Sequence, residues 1–177
     1  MAEFKHMRLA ENQMTDEDAR KQLEKADHGT LALVGDNGYP VTIAINFVYK
    51  DNKILFHGAN DGQKYNLIQA EPKASFCVIT KDDIRPEFIT SLYESAVVFG
   101  TVREIKDDEA RMDVLVSILE KYMPQVMESG KKYIQDAWDA VACFELDIEH
   151  ITGKCGTEEI CLCRKPGAEA PGFCVTK

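Results

Sequence analysis

The residues best suited to chemistry lie in the stretch KILFHGANDGQKYNLI, from Lys53 to Ile68. An apolar run, Ile54-Leu55-Phe56, breaks at His57-Gly58, and a second glycine and a lysine then open what reads as a helix. Such a strand-to-helix corner suits an anion. Backbone N–H groups point outward at a helix start, Lys64 adds a full charge, and glycine lets the backbone approach closely. Taken alone, Lys64 and its glycines also fit a solvated helix start after a turn. His57 ends the strand, where it serves either as a structural histidine or as a hydrogen-bond donor to a bound, reducible group.

The other chemically dense segment is the end of the chain, GKCGTEEICLCRKPGAEAPGFCVTK. Cys155, Cys161, Cys163 and Cys174 follow a C-x5-C-x-C-x10-C spacing. That is neither the C-x2-C knuckle of zinc sites nor a ferredoxin spacing. The expectation is therefore a loosely packed tail of reduced thiols with no metal, with zinc binding or oxidation sensing as the alternative. Cys77 and Cys143 fall in strand-like runs and read as small buried hydrophobes. Trp138 reads as core or interface, and His6, His28 and His150 sit in no motif.

The elements that must position this corner can be read from periodicity and turn chemistry. A helix is expected over Thr15–Ala26, with Thr15 and Asp18 as a capping box. Strands are expected at Gly29–Gly35, Pro40–Lys50 and Lys53–His57. Turns at Asp36–Gly38 and Asp51-Asn52 join them into an antiparallel meander. A short helix, Gly62–Ala70, stops near Pro72. Strands Lys73–Thr80 and Ser95–Ile105 follow, then a helix over Asp107–Met123 with Met112, Leu115, Val116 and Leu119 as its apolar stripe. A strand over Ala140–His150 makes six, and six antiparallel strands with few helices suggest a small barrel.

Bulk properties narrow the class. The chain has 177 residues, a formal net charge of −9, and is 45% hydrophobic and 29% charged, which suits a soluble domain with a core of its own. The acidic balance argues against nucleic acid and against anionic lipid as partners. No apolar run approaches the ~20 residues of a membrane span, and the N-terminal segment is too charged for a signal peptide. A cytoplasmic location with reduced thiols is the expectation.

The run GTLALVGDNGYPVTIAINFVYKDNKILFHGANDGQK, with the later YESAVVFG and TGK, resembles the core of the FMN-binding split barrels. It is most similar to the pyridoxamine-5′-phosphate-oxidase-related branch that contains the 5-nitroimidazole reductases. The resemblance covers roughly residues 8–154 and rests on the combination of motifs. It implies a mainly β fold: an antiparallel six-stranded split β-barrel with flanking α-helices over residues 1–154, followed by a cysteine-containing tail, 155–177.

The resemblance also implies a site. FMN would place its phosphate at Asp61, Gly62, Gln63 and Lys64. Its ring would lie along Thr42, Ile43, Ala44, Ile45 and Asn46 and against His57, Gly58 and Ala59. The second subunit of a homodimer would complete the site with Tyr93 and Ser95. Thr42 and Gln63 stand where the pyridoxamine oxidases carry phosphate-binding arginines, so only Lys64 keeps its charge. Vitamin B6 oxidation is not expected, because the C-terminus has no basic and aromatic set to hold pyridoxal phosphate. The implied activity is an FMN-dependent oxidoreductase, with His57 as catalytic residue, NAD(P)H or a protein as electron donor, and a small acceptor such as a nitroaromatic. The alternatives are a non-catalytic flavin store or electron carrier, and a haem-binding split barrel with His57 as ligand.

Overall fold

The computed structural model describes residues 4–157, which fall into two compact units. One comprises the chain up to Ala26, Val78–Val97 and the segment from Ile151; the other comprises Asp27–Cys77 and Val98–His150. Cys161, Cys163 and Cys174 lie outside the described residues.

The fold is mainly β, an antiparallel sheet with flanking helices, consistent with a split barrel. In chain order the elements are α1 (Asp16–Lys25), β1 (Gly29–Val34), β2 (Pro40–Ile45), β3 (Val48–Lys50), β4 (Lys53–Ala59), α2 (Gly62–Ala70), β5 (Lys73–Arg85), β6 (Thr90–Ile105), α3 (Asp108–Tyr122), α4 (Met127–Asp136) and β7 (Val141–Gly156). The strand order is β2-β1-β5-β6-β7-β4-β3. The sheet has seven strands, not the six expected, and it is not closed: its two end strands, β2 and β3, are consecutive in the chain.

The extra strand arises at Asn46-Phe47, where the expected strand Pro40–Lys50 changes partner. β2 pairs with β1, whereas β3 pairs with β4. The expected three-strand meander is therefore two hairpins. Phe47 is fully buried, and its backbone is served by side chains instead of a neighbouring strand. Its amide donates to the Tyr122 hydroxyl at 3.0 Å, and its carbonyl accepts from Tyr122 at 2.8 Å and from Lys121 Nζ at 3.0 Å. A buried backbone group needs some partner, and here the end of α3 supplies it.

In this unit Phe47, Phe56, Phe76 and Phe144 are fully buried, each worth roughly 1.5–3 kcal/mol of burial. Phe47 meets Phe76 edge-on and Phe56 stacks on Phe144. A second cluster joins Leu55 and Cys143 to Val114, Leu115, Ile118 and Leu119 of α3 and Ile134 of α4, with Trp138 at its margin. The buried face of α3 thus includes Val114 and Ile118 beyond the expected stripe, while Met112 and Val116 are only partly buried. Cys143 is buried as expected; Cys77 is only half-buried.

In the other unit, Thr15 caps α1, accepting from the Asp18 amide at 3.1 Å, and α1 buries Ala19, Gln22 and Leu23. Asn12, also fully buried, donates to the Tyr93 hydroxyl at 2.9 Å and to the Cys155 carbonyl at 2.8 Å.

Candidate functional site

β4 buries Ile54, Leu55 and Phe56 and then emerges: His57 is exposed, Gly58 half-buried and Ala59 exposed. Its pairing with β7 sets His57 opposite Cys143, Gly58 opposite Ala142 and Ala59 opposite Val141. Beyond the last pair, Asn60 holds the corner. Its amide donates to the Ala140 carbonyl at 3.1 Å and its side chain to the Asp139 carbonyl at 2.7 Å. Gly62 then turns the chain with φ of +83°, a conformation that side chains beyond glycine rarely adopt, and α2 begins. The Asp61 side chain makes no capping bond, so the first-turn amides of α2 are left without the usual N-cap acceptor among the described residues.

From the first turn of α2, Lys64 reaches back over β4. Its Nζ donates to the His57 carbonyl at 3.1 Å. Gly58 makes this seat possible, since a Cβ there would stand 2.2 Å from Lys64 Nζ and 2.5 Å from Cε. Among the described residues Lys64 has no carboxylate partner. It is half-buried, and the loss of water lowers its pKa below the ordinary lysine value. The His57 ring is held below its usual value as well, first by desolvation from the protein packed around it and then by the charge of Lys64. At neutral pH the corner therefore presents one ammonium, one neutral imidazole and uncapped amides. That donor set has spare capacity for a small dianion.

The expected site residues divide into three groups. His57, Gly58, Ala59, Asp61, Gly62, Gln63 and Lys64 form one corner. Thr42, Ile43, Ala44 and Ile45 lie on β2, an end strand with one unpaired edge, and Asn46 follows it; Thr42, Ala44 and Asn46 are exposed, Ile43 half-buried and Ile45 buried. Tyr93 and Ser95 lie in the other unit. There Tyr93 accepts from Asn12, and the Lys154 ammonium sits 5.3 Å from its ring centre. Sequence reasoning missed Asn60, Lys121 and Tyr122, which fix the backbone at Ala59 and at Phe47. Only Asn60 carried a local signal, as an amide side chain between a strand and a helix.

Residues 15–155 match the pyridoxamine 5′-phosphate oxidase family. The chain belongs to that family. Among curated proteins, none matches it. Solved structures of similar fold include a proposed 5-nitroimidazole antibiotic resistance protein from Bacteroides thetaiotaomicron, 18% identical over 80% of this chain and 85% of that one, with a TM-score of 0.69. An FAD- and haem-binding protein from Mycobacterium smegmatis is 21% identical over 82% of this chain and 73% of its own, with a TM-score of 0.66. An FAD-binding protein from Mesorhizobium loti is 22% identical over 82% and 96%, with a TM-score of 0.60. At these identities the likeness establishes a shared fold and leaves the chemistry to the site. No helix among the described residues is long and apolar enough to cross a membrane.

Proposed function

We propose that this member of the pyridoxamine 5′-phosphate oxidase family binds FMN and acts as an oxidoreductase on a small acceptor. The observation that carries this reading is the half-buried Lys64 ammonium, seated over Gly58 with no carboxylate partner among the described residues, beside the start of α2 that Asp61 leaves uncapped. Lys64 and the first-turn amides would hold the phosphate, and the backbone from Ile43 to Asn46 and at His57-Gly58 would meet the ring. Neighbours described as FAD-binding support a flavin as the class of ligand. A flavin, when bound, supplies two-electron transfer between a nicotinamide and an acceptor.

The protein's part is to bind, orient and donate hydrogen bonds. His57, whose pKa is lowered first by desolvation and then by the Lys64 charge, can donate a hydrogen bond to an acceptor group as the neutral imidazole. Two copies would share each site, with Tyr93 and Ser95 reaching the partner's ligand. The large apolar side chains Val34, Tyr39 and Phe99, exposed around a groove of 480 Å³, give a second copy something to cover.

The test is spectroscopic. Purified protein reconstituted with FMN is expected to retain it stoichiometrically, to bleach anaerobically with NADH or NADPH, and to recolour when a nitroaromatic is added. Flavin that bleaches but passes no electrons onward identifies a carrier or store. Bound FAD in place of FMN would move the phosphate assignment. A Soret band without flavin bands would replace this reading with haem binding. That alternative is kept because a neutral His57 can ligate iron and one neighbour is described as haem-binding.

A further inference from the structure

We infer that Gly58 is a specificity-determining residue: by having no side chain it seats the Lys64 ammonium over β4, and so gives the site its preference for a phosphorylated flavin over the same ring without phosphate. The inference rests on the flavin reading above and goes beyond it by naming what positions the cation.

The geometry is specific. Lys64 approaches Gly58 so closely that an added Cβ would meet Nζ at 2.2 Å and Cε at 2.5 Å, while the Cδ is already 4.0 Å away. The collision is therefore confined to the charged tip. Gly58 also lies in the regular β4–β7 ladder opposite Ala142, so alanine fits its backbone and threatens only the lysine. A flexible lysine tip moves easily, and displacement of Lys64 is the expected result. The ammonium then loses the His57 carbonyl that holds it at 3.1 Å and swings toward water. A charge free in solvent recognises a phosphate poorly, both because water screens it and because its position is no longer fixed. Burial, which lowers the pKa of Lys64, is relieved by the same movement. That relief provides a reading that needs no ligand.

The experiment compares the intact chain, Gly58→Ala, Lys64→Ala and the double variant. Each is titrated with FMN and with riboflavin by fluorescence quenching, and the quantity read is the ratio of the two affinities. Gly58→Ala is expected to reduce the FMN-over-riboflavin ratio about tenfold or more, and Lys64→Ala by a similar factor. The double variant is expected to go no lower than Lys64→Ala, because both changes remove the same interaction. In ligand-free protein, ¹⁵N NMR of the Lys64 ammonium is expected to show its pKa rising toward the ordinary value in Gly58→Ala. If Gly58→Ala alone proves too unstable to titrate, the double variant, which lacks the colliding atoms, is expected to fold.

An unchanged ratio in Gly58→Ala, an additive double variant, an unmoved Lys64 pKa, or a double variant that also fails to fold each overturns the inference. Wild-type protein that binds neither flavin overturns the flavin reading itself. Wild-type protein that prefers FMN while Gly58→Ala prefers it equally overturns only the role of Gly58.

Discussion

Lys64 acts on His57 twice: its ammonium hydrogen-bonds the His57 carbonyl at 3.1 Å, and its charge helps hold the ring of the same residue below the ordinary histidine pKa. Desolvation is the larger cause and Lys64 the second. Replacing Lys64 with methionine keeps the burial and removes the charge. The His57 pKa, followed by NMR titration, is therefore expected to rise part of the way toward its usual value of about 6.5. High salt on the wild-type chain should move it in the same direction by screening. An unmoved histidine in the variant would mean that desolvation alone sets its pKa.

Lys64 also loads the ligand-free fold. Its folded pKa lies below the unfolded value of 10.5, so between those two values the unfolded chain binds more protons, and stability rises as pH rises through that window. Below the window the penalty is present in full. Lys64→Met is therefore expected to stabilise ligand-free protein at pH 7, by roughly the 0.5–2 kcal/mol typical of a single stabilising substitution. It should weaken FMN about 10- to 150-fold, the loss of one charged hydrogen bond. Denaturant melts with and without FMN would read both effects. A Lys64→Met protein that is less stable without ligand would make the lysine structural.

How much of this was legible in the sequence depends on how far each cause lies from its effect along the chain. The N-cap at Thr15 and the bounds Gly62–Ala70 of α2 are set by neighbouring residues and stand as read, though the Asp18 carboxylate takes the Thr15 hydroxyl where the expected capping box would have the Thr15 amide. The turn at Asp51-Asn52 is equally local: both residues have positive φ, as a tight hairpin requires. The break at Phe47 was not legible, because its backbone partners are Lys121 and Tyr122, more than seventy residues away. Nor was α4, whose MESGKKYIQD holds one buried residue, Ile134, and depends on packing against α3. At the corner, the spacing of glycine and lysine was visible. That Gly58 and Lys64 touch, and that Lys64 is half-buried with no carboxylate partner among the described residues, follows only from the fold.

Tyr122 bridges what the strand break leaves open. Its hydroxyl accepts from the Phe47 amide and faces the carbonyls of Phe47 and Asp27. Tyr122→Phe keeps the ring under the Lys121 ammonium but strips the buried Phe47 amide of its acceptor. A buried unsatisfied donor costs about 1–3 kcal/mol, so the variant is expected to unfold at correspondingly lower denaturant with an unchanged slope. A change under about 0.5 kcal/mol would mean that water replaces the phenol.

The proposal that two copies share each site makes a prediction about assembly. Sedimentation of flavin-loaded protein is expected to give twice the chain mass. Replacing the exposed Val34 and Tyr39 with charged residues should dissociate the dimer and release the flavin together. A monomer that keeps stoichiometric FMN would remove Tyr93 and Ser95 from the site.

The end of the chain can be cut in two informative places. β7 runs to Gly156, and the Cys155 carbonyl accepts from Asn12, a side chain with no exposure at all. Lys154 pairs with Gln13 in an isolated bridge just before it. Ending the chain after Lys154 deletes the Cys155 carbonyl, so the Asn12 side chain loses an acceptor that it meets at 2.8 Å. The expected loss is about 1–3 kcal/mol of stability, the cost of an unmet buried donor. Ending it after Thr157 retains that carbonyl and should leave both stability and FMN affinity as in the full chain. Thermal melts and flavin titrations of the two truncations, side by side, separate the cases. Equal stability after both cuts would mean that Asn12 finds another acceptor, and lost flavin after the cut at Thr157 would make the cysteine-rich end part of the site.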